Sequence, residues 1–129
     1  MKKLFVSVPM KGRTLEEIKD SFSKMKIIAE AYMGEELEEV ASYIIENPPI
    51  GVNEPIWYLA KSLEILATAD VFIGLDDAWM FPECEIEKSV AKEYGIESYL
   101  IKGGYVIDNF DALCRKIEEE YMQRREACL

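Results

Sequence analysis

The chain has 129 residues, of which half are hydrophobic and 31% are charged, and this composition is typical of a soluble globular protein. Its formal net charge of −10 argues against a nucleic-acid polymer as partner, because contacts with phosphates need clustered lysines and arginines. The chain contains no histidine, so catalysis with a histidine base is excluded and a zinc site is not expected. No apolar run approaches the ~20 residues of a membrane helix, so no membrane partner is expected.

The first apolar run and the cysteines bear on the cellular compartment. Residues 4–8 superficially resemble the apolar part of a signal peptide, but the run breaks at Pro9 with no small-residue cleavage site. A first β-strand explains it better. Cys84, Cys114 and Cys128 are widely spaced and form no CxxC pair, which predicts reduced thiols in a cytoplasmic protein.

Strands and helices alternate along the first half of the chain. Residues 4–8 predict a buried strand. Thr14 and Glu17 then form a capping-box pattern at the start of a helix that Gly34 ends. Residues 37–45 predict a second strand and residues 46–55 a long loop. The apolar stripe expected on this first helix consists of Leu15, Ile18, Phe22, Met25, Ala29 and Tyr32.

The same alternation continues in the second half. Pro55 suits the first turn of a second helix, and residues 71–75 are a continuous apolar run, typical of a strand covered on both faces. Pro82 opens a third helix that Gly95 ends, residues 98–101 predict another strand, and residues 102–104 a turn. A final helix is expected from about Asn109. The stripe expected on the second helix is Ile56, Leu59, Ala60, Leu63, Leu66 and Ala67.

This order of elements predicts one α/β domain over residues 1–129. We expect a single doubly wound, flavodoxin- or Rossmann-like, mostly parallel sheet of four to five strands with helices on both faces. Ligands of such folds bind outside the carboxyl ends of the strands, which selects residues 9–13 and 76–87. The phosphate-binding glycine motifs of dinucleotide-binding and P-loop proteins do not occur in the chain.

Glu87 breaks the pattern of the third helix. The face that packs on the sheet is expected to contain Ile86, Val90, Ala91 and Tyr94, and Glu87 lies within that stripe. A carboxylate there is costly unless it has partners or a function. Helical phasing alone favours a plainer interpretation, in which Glu87 marks the edge of the stripe and reaches solvent, alone or beside Lys88 or Lys92.

Three stretches, taken in chain order, point further. Residues 5–12 read Phe-Val-Ser-Val-Pro-Met-Lys-Gly; residues 57–63 are followed by Ala69-Asp70-Val71; and Trp79 precedes a helix in which Glu87 is followed four residues later by Ala91. Together they resemble the nucleoside 2-deoxyribosyltransferase-like superfamily, in particular its small bacterial and phage members, whose first strand ends in Ser-x-Pro-Met-x-Gly.

The resemblance implies a function for Glu87. In that superfamily the matching glutamate attacks the anomeric carbon of a 2′-deoxynucleoside, the base departs, and a second base or water resolves the covalent intermediate. The chain is therefore expected to be an N-glycosidic bond enzyme for (deoxy)nucleosides or nucleotides, acting by transfer or hydrolysis without a cofactor or metal, and to form a homo-oligomer. The alternative is a non-catalytic protein of the same fold that binds a nucleotide-derived ligand.

The resemblance also implies a set of pocket residues. Relatives have a polar or acidic residue near the substrate at the position of Asp76 or Asp77, and Asp77 is taken as the second catalytic candidate. Trp79 is expected to stack on the base or to pack on the domain. The substrate-binding candidates are Ser7, Pro9, Met10, Gly12, Ser62, Asp76, Trp79 and Glu83.

Two of these positions depart from the family pattern. The established transferases have an acidic residue at about Ser62 and tend to have glycine near Glu83. If Glu83 and Glu87 both face the pocket, their repulsion raises the pKa of one of them, which gives an acid and a nucleophile or else spoils the site.

Overall fold

The computed structural model describes residues 1–10, 12–41, 44–76, 78 and 81–101. The predicted turn at 102–104 and the final helix from about Asn109 lie outside the described residues. No helix in the described part of the chain has the length and apolar character needed to cross a membrane. The described strands are β1 (Lys2–Val6), β2 (Leu37–Val40), β3 (Val71–Leu75) and β4 (Glu97–Ile101), and the helices are α1 (Leu15–Met33), α2 (Glu54–Leu66) and α3 (Pro82–Glu93).

The four strands form one sheet in the order β2-β1-β3-β4, and every neighbouring pair is parallel. Because β2 and β3 lie on opposite sides of β1, the chain reverses its direction of travel across the sheet after β2. This arrangement confirms the predicted doubly wound α/β fold. It also creates a crevice above the carboxyl ends of β1 and β3, where such folds bind their ligands.

Alternating side chains of β1 and β3 build a core on each face of the sheet. Leu4 and Ile73 belong to the core that α1 covers, whereas Phe5 and Phe72 belong to the core that α2 and α3 cover. The two phenylalanine rings stack with their centroids 6.0 Å apart. The strands are therefore buried on both faces, as the continuous apolar run at 71–75 predicted.

The start and end of α1 follow the capping signals of the sequence. The Thr14 hydroxyl accepts a hydrogen bond from Glu17 N, and the Glu17 carboxylate accepts one from the Thr14 backbone N–H. Gly34 ends the helix at φ 71°, a conformation that residues with a side chain rarely adopt. The prediction was wrong for the ends of the stripe, since Leu15 and Tyr32 are exposed. A 19-residue helix is about 28 Å long and overhangs five-residue strands of roughly 17 Å.

The predicted packing faces of α2 and α3 need correction. On α2 the buried residues are Ser62 and Leu66, and Ile56 is exposed. On α3 the buried residues are Cys84, Glu87 and Ala91, whereas Ile86 and Tyr94 are exposed. Positions 84, 87 and 91 share one side of a helix, and because each residue turns the helix by about 100°, Ile86 lies roughly 130° away, towards the far side.

Candidate active site

An open cavity of about 680 Å³ lies in the crevice above the sheet. Its walls come from the loop after β1, the start of α1, the residue pair 44–45, α2, and the start of α3. The volume falls within the range of roughly 300–1,000 Å³ that small-molecule sites occupy. Most of the described lining residues are apolar, and the carboxylates among them are Glu83 and Glu87. No group of three or more potential metal ligands occurs among the described residues.

Glu87 lies at the cavity with its side chain nearly covered, at 7% exposure. The Ser7 hydroxyl donates a hydrogen bond to Glu87 Oε1 at 2.7 Å. Burial raises the pKa of Glu87, the hydroxyls of Ser7 and Ser62 lower it, and the charge of Glu83 raises it. The carboxylate is therefore removed from bulk water but supplied with hydrogen-bond donors that favour its ionised form.

The plainer interpretation of Glu87, as an edge residue in solvent, is wrong. Nor does Lys88 pair with it, because the Lys88 ammonium contacts Glu85 Oε2 at 3.2 Å and donates to the Asp76 carbonyl at 2.7 Å. Lys92 lies on the exposed side of α3. Glu87 is instead at the centre of the buried face of the helix.

Ser7 reaches Glu87 because of where it follows β1. It lies two residues after Phe5 and therefore on the face of the sheet that α2 and α3 cover, and its amide continues the sheet by donating to the Ile73 carbonyl at 2.9 Å. Its side chain is 2% exposed. Ser7 thus contacts the carboxylate from the sheet side.

Gly74 provides the space that Ser7 needs. A Cβ atom at Gly74 would lie 2.9 Å from two ring carbons of Phe72 and 3.2 Å from Ser7 Cβ, which is closer than ordinary packing allows. Sequence reasoning treated this glycine only as part of an apolar strand. The signal was available, because an isolated glycine within a strand often marks a close approach of neighbouring atoms.

Ser62 enters the site from α2. It lines the cavity, is 7% exposed, and its hydroxyl donates to the Leu59 carbonyl at 2.9 Å. A hydroxyl has a single hydrogen, so donation to Glu87 requires that it rotates away from Leu59. In the structure, the Ser7 hydroxyl therefore donates to Glu87, whereas the Ser62 hydroxyl donates to the Leu59 carbonyl.

Cys84 lies one helical turn before Glu87 and also lines the cavity. Burial, reinforced by the charge of Glu87, raises the pKa of its thiol to about 12. The thiol is consequently protonated and a poor nucleophile near neutral pH. Sequence reasoning identified Cys84 only as a reduced thiol and did not place it in the site.

Arg13 is a cationic residue that lines the cavity. It donates from Nη1 to the Pro9 carbonyl at 3.0 Å and from Nη2 to the Glu17 carbonyl at 3.1 Å and to the Ser21 hydroxyl. Burial lowers the pKa of Arg13, whereas Glu17 and Asp20 raise it. These bonds tie the loop after β1 to α1 and fix Pro9 and Met10 against the cavity.

The structure brings together most of the described candidates. Pro9, Met10, Ser62, Glu83 and Glu87 line the cavity, and Ser7 contacts Glu87.

Two further candidates, Gly12 and Asp76, are not among the described lining residues. Gly12, at φ 77°, belongs to the tight turn in which Arg13 N donates to the Met10 carbonyl. The Asp76 amide donates to the Ile101 carbonyl at 3.0 Å, which extends the sheet beyond β3. Asp77 and Trp79 lie outside the described residues.

Comparison with known proteins yields no family assignment. No protein-family model matches the chain, and neither the curated proteins nor the solved structures compared with it gave a significant match. The functional interpretation therefore depends on the cavity, on the side chains that surround Glu87, and on the resemblance of the sequence stretches described above.

Proposed function

We propose that the protein is an N-glycosidic bond enzyme that acts on (deoxy)nucleosides or nucleotides through a covalent glycosyl intermediate on Glu87. The observation that supports this most directly is the position of Glu87, a buried carboxylate that lines a cavity of about 680 Å³ at the carboxyl ends of the strands. Buried carboxylates without a cationic partner are rare in protein cores. A carboxylate held this way at a cavity is a candidate for catalysis.

The surroundings of Glu87 suit a nucleophile that attacks an anomeric carbon. The Ser7 hydroxyl holds Oε1 at 2.7 Å and so fixes the direction of the carboxylate. An oxocarbenium-like transition state carries positive charge, and a carboxylate in a poorly solvated site stabilises that charge strongly. Tyr58 and Phe81 add aromatic surface to the cavity, against which the base of a nucleoside can pack.

A panel of substrates tests this proposal. The protein is incubated with deoxyadenosine, deoxyguanosine, deoxycytidine, thymidine, the matching ribonucleosides and all their 5′-monophosphates, and base release is followed by chromatography. Intact-protein mass spectrometry reports a sugar adduct. We expect base release from at least one member, with the adduct mapping to Glu87 after proteolysis. Absence of both base release and adduct across the panel would sink the proposal.

Matched variants separate the role of Glu87 from a general effect of charge. Glu87→Gln is expected to abolish base release and adduct together. Glu85→Gln neutralises a carboxylate on the same helix that pairs with Lys88 and is not among the described cavity residues, so it is expected to retain activity. Equal activity of Glu87→Gln and the parent protein would contradict the nucleophile assignment.

A second candidate function is non-catalytic binding of a nucleotide-derived ligand. It is favoured by the burial that raises the pKa of Glu87, because a protonated carboxyl donates a hydrogen bond to a ligand and cannot attack it. Under this alternative, members of the panel raise the melting temperature without base release. Base release faster than the uncatalysed rate excludes it.

The proposal also covers the binding partner, the cellular compartment and the oligomeric state. Its partner is a small nucleoside or nucleotide, and we propose a cytoplasmic homo-oligomer. Light scattering coupled to size-exclusion chromatography measures the oligomeric state, and a monomeric mass at micromolar concentration contradicts that part.

A further inference from the structure

Glu83 is a second carboxylate in the same cavity, and the proposed attack of Glu87 on the anomeric carbon does not involve it. It lies in the first turn of α3, four residues before Glu87, and both residues line the cavity. Glu83 is exposed, whereas Glu87 is 7% exposed. The two carboxylates therefore differ in their access to water.

The helix sets the separation of the two side chains. Residues four apart on a helix have Cβ atoms about 5–6 Å apart on the same face. Glycosidases that work through a covalent intermediate place their two carboxyl groups about 5–5.5 Å apart, a separation that two glutamate side chains with such Cβ positions can reach by choice of rotamer. The interaction between the two groups is also electrostatic, since the charge of Glu83 raises the pKa of Glu87.

We propose that Glu83 is the general base of the second half-reaction, which removes a proton from the water molecule or acceptor base that attacks the glycosyl–Glu87 intermediate. This inference rests on the proposed function of Glu87. Its own basis is the position of Glu83 one turn away, as a solvent-exposed carboxylate that lines the same cavity.

The two half-reactions balance as follows. In the first, an oxygen of Glu87 bonds to C1′, the bond from C1′ to the base nitrogen breaks, and its electron pair leaves with the base, which takes a proton from solvent. In the second, a water oxygen bonds to C1′ as Glu83 accepts the water proton, and the bond from C1′ to the Glu87 oxygen breaks. Glu83 then releases the proton to solvent. In transfer, the N–H of a second base takes the place of water.

Three other polar residues of the described cavity, Arg13, Ser62 and Cys84, are less suited to this role. Arg13 is a cation whose guanidinium donates to the Pro9 carbonyl and to Ser21, and Ser62 donates to the Leu59 carbonyl. The thiol of Cys84 is buried. When Glu87 is esterified it has lost its negative charge, so no like charge on Glu87 opposes the ionised form of Glu83 that serves as the base.

Rapid-mixing kinetics on Glu83→Gln tests the inference. The substrate is the member of the nucleoside panel that the parent protein cleaves fastest. Because deglycosylation is slowed and glycosylation is not, we expect a burst of about one equivalent of base per active site, followed by steady-state turnover at least ~100-fold slower than in the parent. Intact mass should show the sugar adduct accumulating on Glu87. Glu85→Gln, the matched neutralisation on the same helix, should show no accumulation.

A small nucleophile provides an independent readout. Azide needs no general base, so it should restore turnover of Glu83→Ala at least ~10-fold and yield the glycosyl azide with retained configuration, while leaving the parent nearly unaffected. A loss of folding is not expected, because the Glu83 side chain is exposed, and circular dichroism verifies this for both variants.

The possible results separate this inference from the proposed function. Base release by the parent, combined with unchanged steady-state turnover and no adduct in Glu83→Gln, overturns the role of Glu83 and leaves that of Glu87 intact. In Glu83→Gln, the first phase of base release could also be slowed as much as the steady-state rate, with no rescue by azide. This result overturns the inference as well, since Glu83 then acts before the intermediate forms. A parent protein inactive on the whole panel refutes the proposed function and this inference with it.

Discussion

Removal of the Ser7 hydroxyl tests whether Glu87 is ionised in its buried position. Ser7 and Glu87 are 2% and 7% exposed, and their hydrogen bond is 2.7 Å long. Hydrogen bonds to charged groups contribute about 1.5–3 kcal/mol to stability, against about 0.5–1.5 kcal/mol for neutral pairs. We therefore expect Ser7→Ala to lower the free energy of unfolding by about 1.5–3 kcal/mol at pH 8, which corresponds to roughly 5–12 °C in melting temperature for a domain of this size.

The pH dependence of that loss identifies its cause. Ser7 favours the ionised carboxylate, so its removal raises the pKa of Glu87 further above the unfolded value. A carboxyl whose pKa is raised by folding contributes stability that is complete below its unfolded pKa and is lost as pH rises through its folded pKa. The stability of Ser7→Ala should thus fall more than that of the parent as pH rises, and near pH 4 the difference should shrink to about 0.5–1.5 kcal/mol, the contribution of a neutral hydrogen bond.

Urea unfolding followed by circular dichroism at pH 4, 6 and 8 measures these differences. Ser98→Ala is the matched control, because the Ser98 hydroxyl donates to a neutral acceptor, the Ile96 carbonyl, at 2.9 Å. A double-mutant cycle repeats Ser7→Ala in the Glu87→Gln protein. There, at pH 8, Ser7→Ala should lower the free energy of unfolding by at least ~1 kcal/mol less than it does in the parent. A loss for Ser7→Ala that is independent of pH, equal to that of Ser98→Ala, and unchanged by Glu87→Gln would refute the reasoning.

Three further predictions concern the same site. Glu87→Gln should gain stability relative to the parent as pH rises above about 4.5, by at most about 1.4 kcal/mol per pH unit, because burial raises the pKa of Glu87 and the amide does not titrate; a difference that is flat with pH in urea titrations contradicts this. Gly74→Ala should destabilise the protein by about 1–3 kcal/mol, because the added Cβ lies 2.9 Å from the Phe72 ring, and should reproduce the steeper pH dependence of Ser7→Ala by displacing Ser7; unchanged melting profiles contradict it. Cys84, retained alone in a Cys114→Ser, Cys128→Ser protein, should react with iodoacetamide at pH 8 roughly 1,000-fold more slowly than an exposed thiol, since its pKa is about 12, and faster once Glu87 is replaced by Gln; labelling at the rate of glutathione contradicts it.

The fold was largely predictable because its signals are local. Thr14, Glu17 and Gly34 act through capping bonds within a few residues, and residues 71–75 matched β3 because an apolar run of that length admits few other structures. The α3 packing face was not predictable in the same way. Apolar character suggested Ile86 and Tyr94, but the orientation of the helix depends on which side chains meet Ser7 and the sheet, and this is set by tertiary contacts.

The site was predictable in outline but not in detail. Glu87 was singled out because it interrupts the apolar stripe of the third helix next to the strand ends, and the family resemblance, not its position, suggested a role for it. The contributions of Gly74, Cys84 and Arg13 were not predicted, because each depends on interatomic distances that only the fold sets: Gly74 on its approach to Phe72 and Ser7, Cys84 on burial, and Arg13 on its reach to the Pro9 carbonyl. No spacing rule along the chain encodes such distances.

The hydrogen bond from Ser7 to Glu87 joins residues 80 positions apart, and this has a consequence for folding. Neither β1 nor α3 can complete the carboxylate's surroundings without the other, and β3 must already lie between them for the Ser7 amide to find the Ile73 carbonyl. A chain released from the ribosome with only its first half folded would therefore possess strands and helices but no formed site. Completion of the surroundings of Glu87 is therefore a late event in folding, and amide exchange at Ser7 is expected to report opening of the whole sheet rather than local fraying.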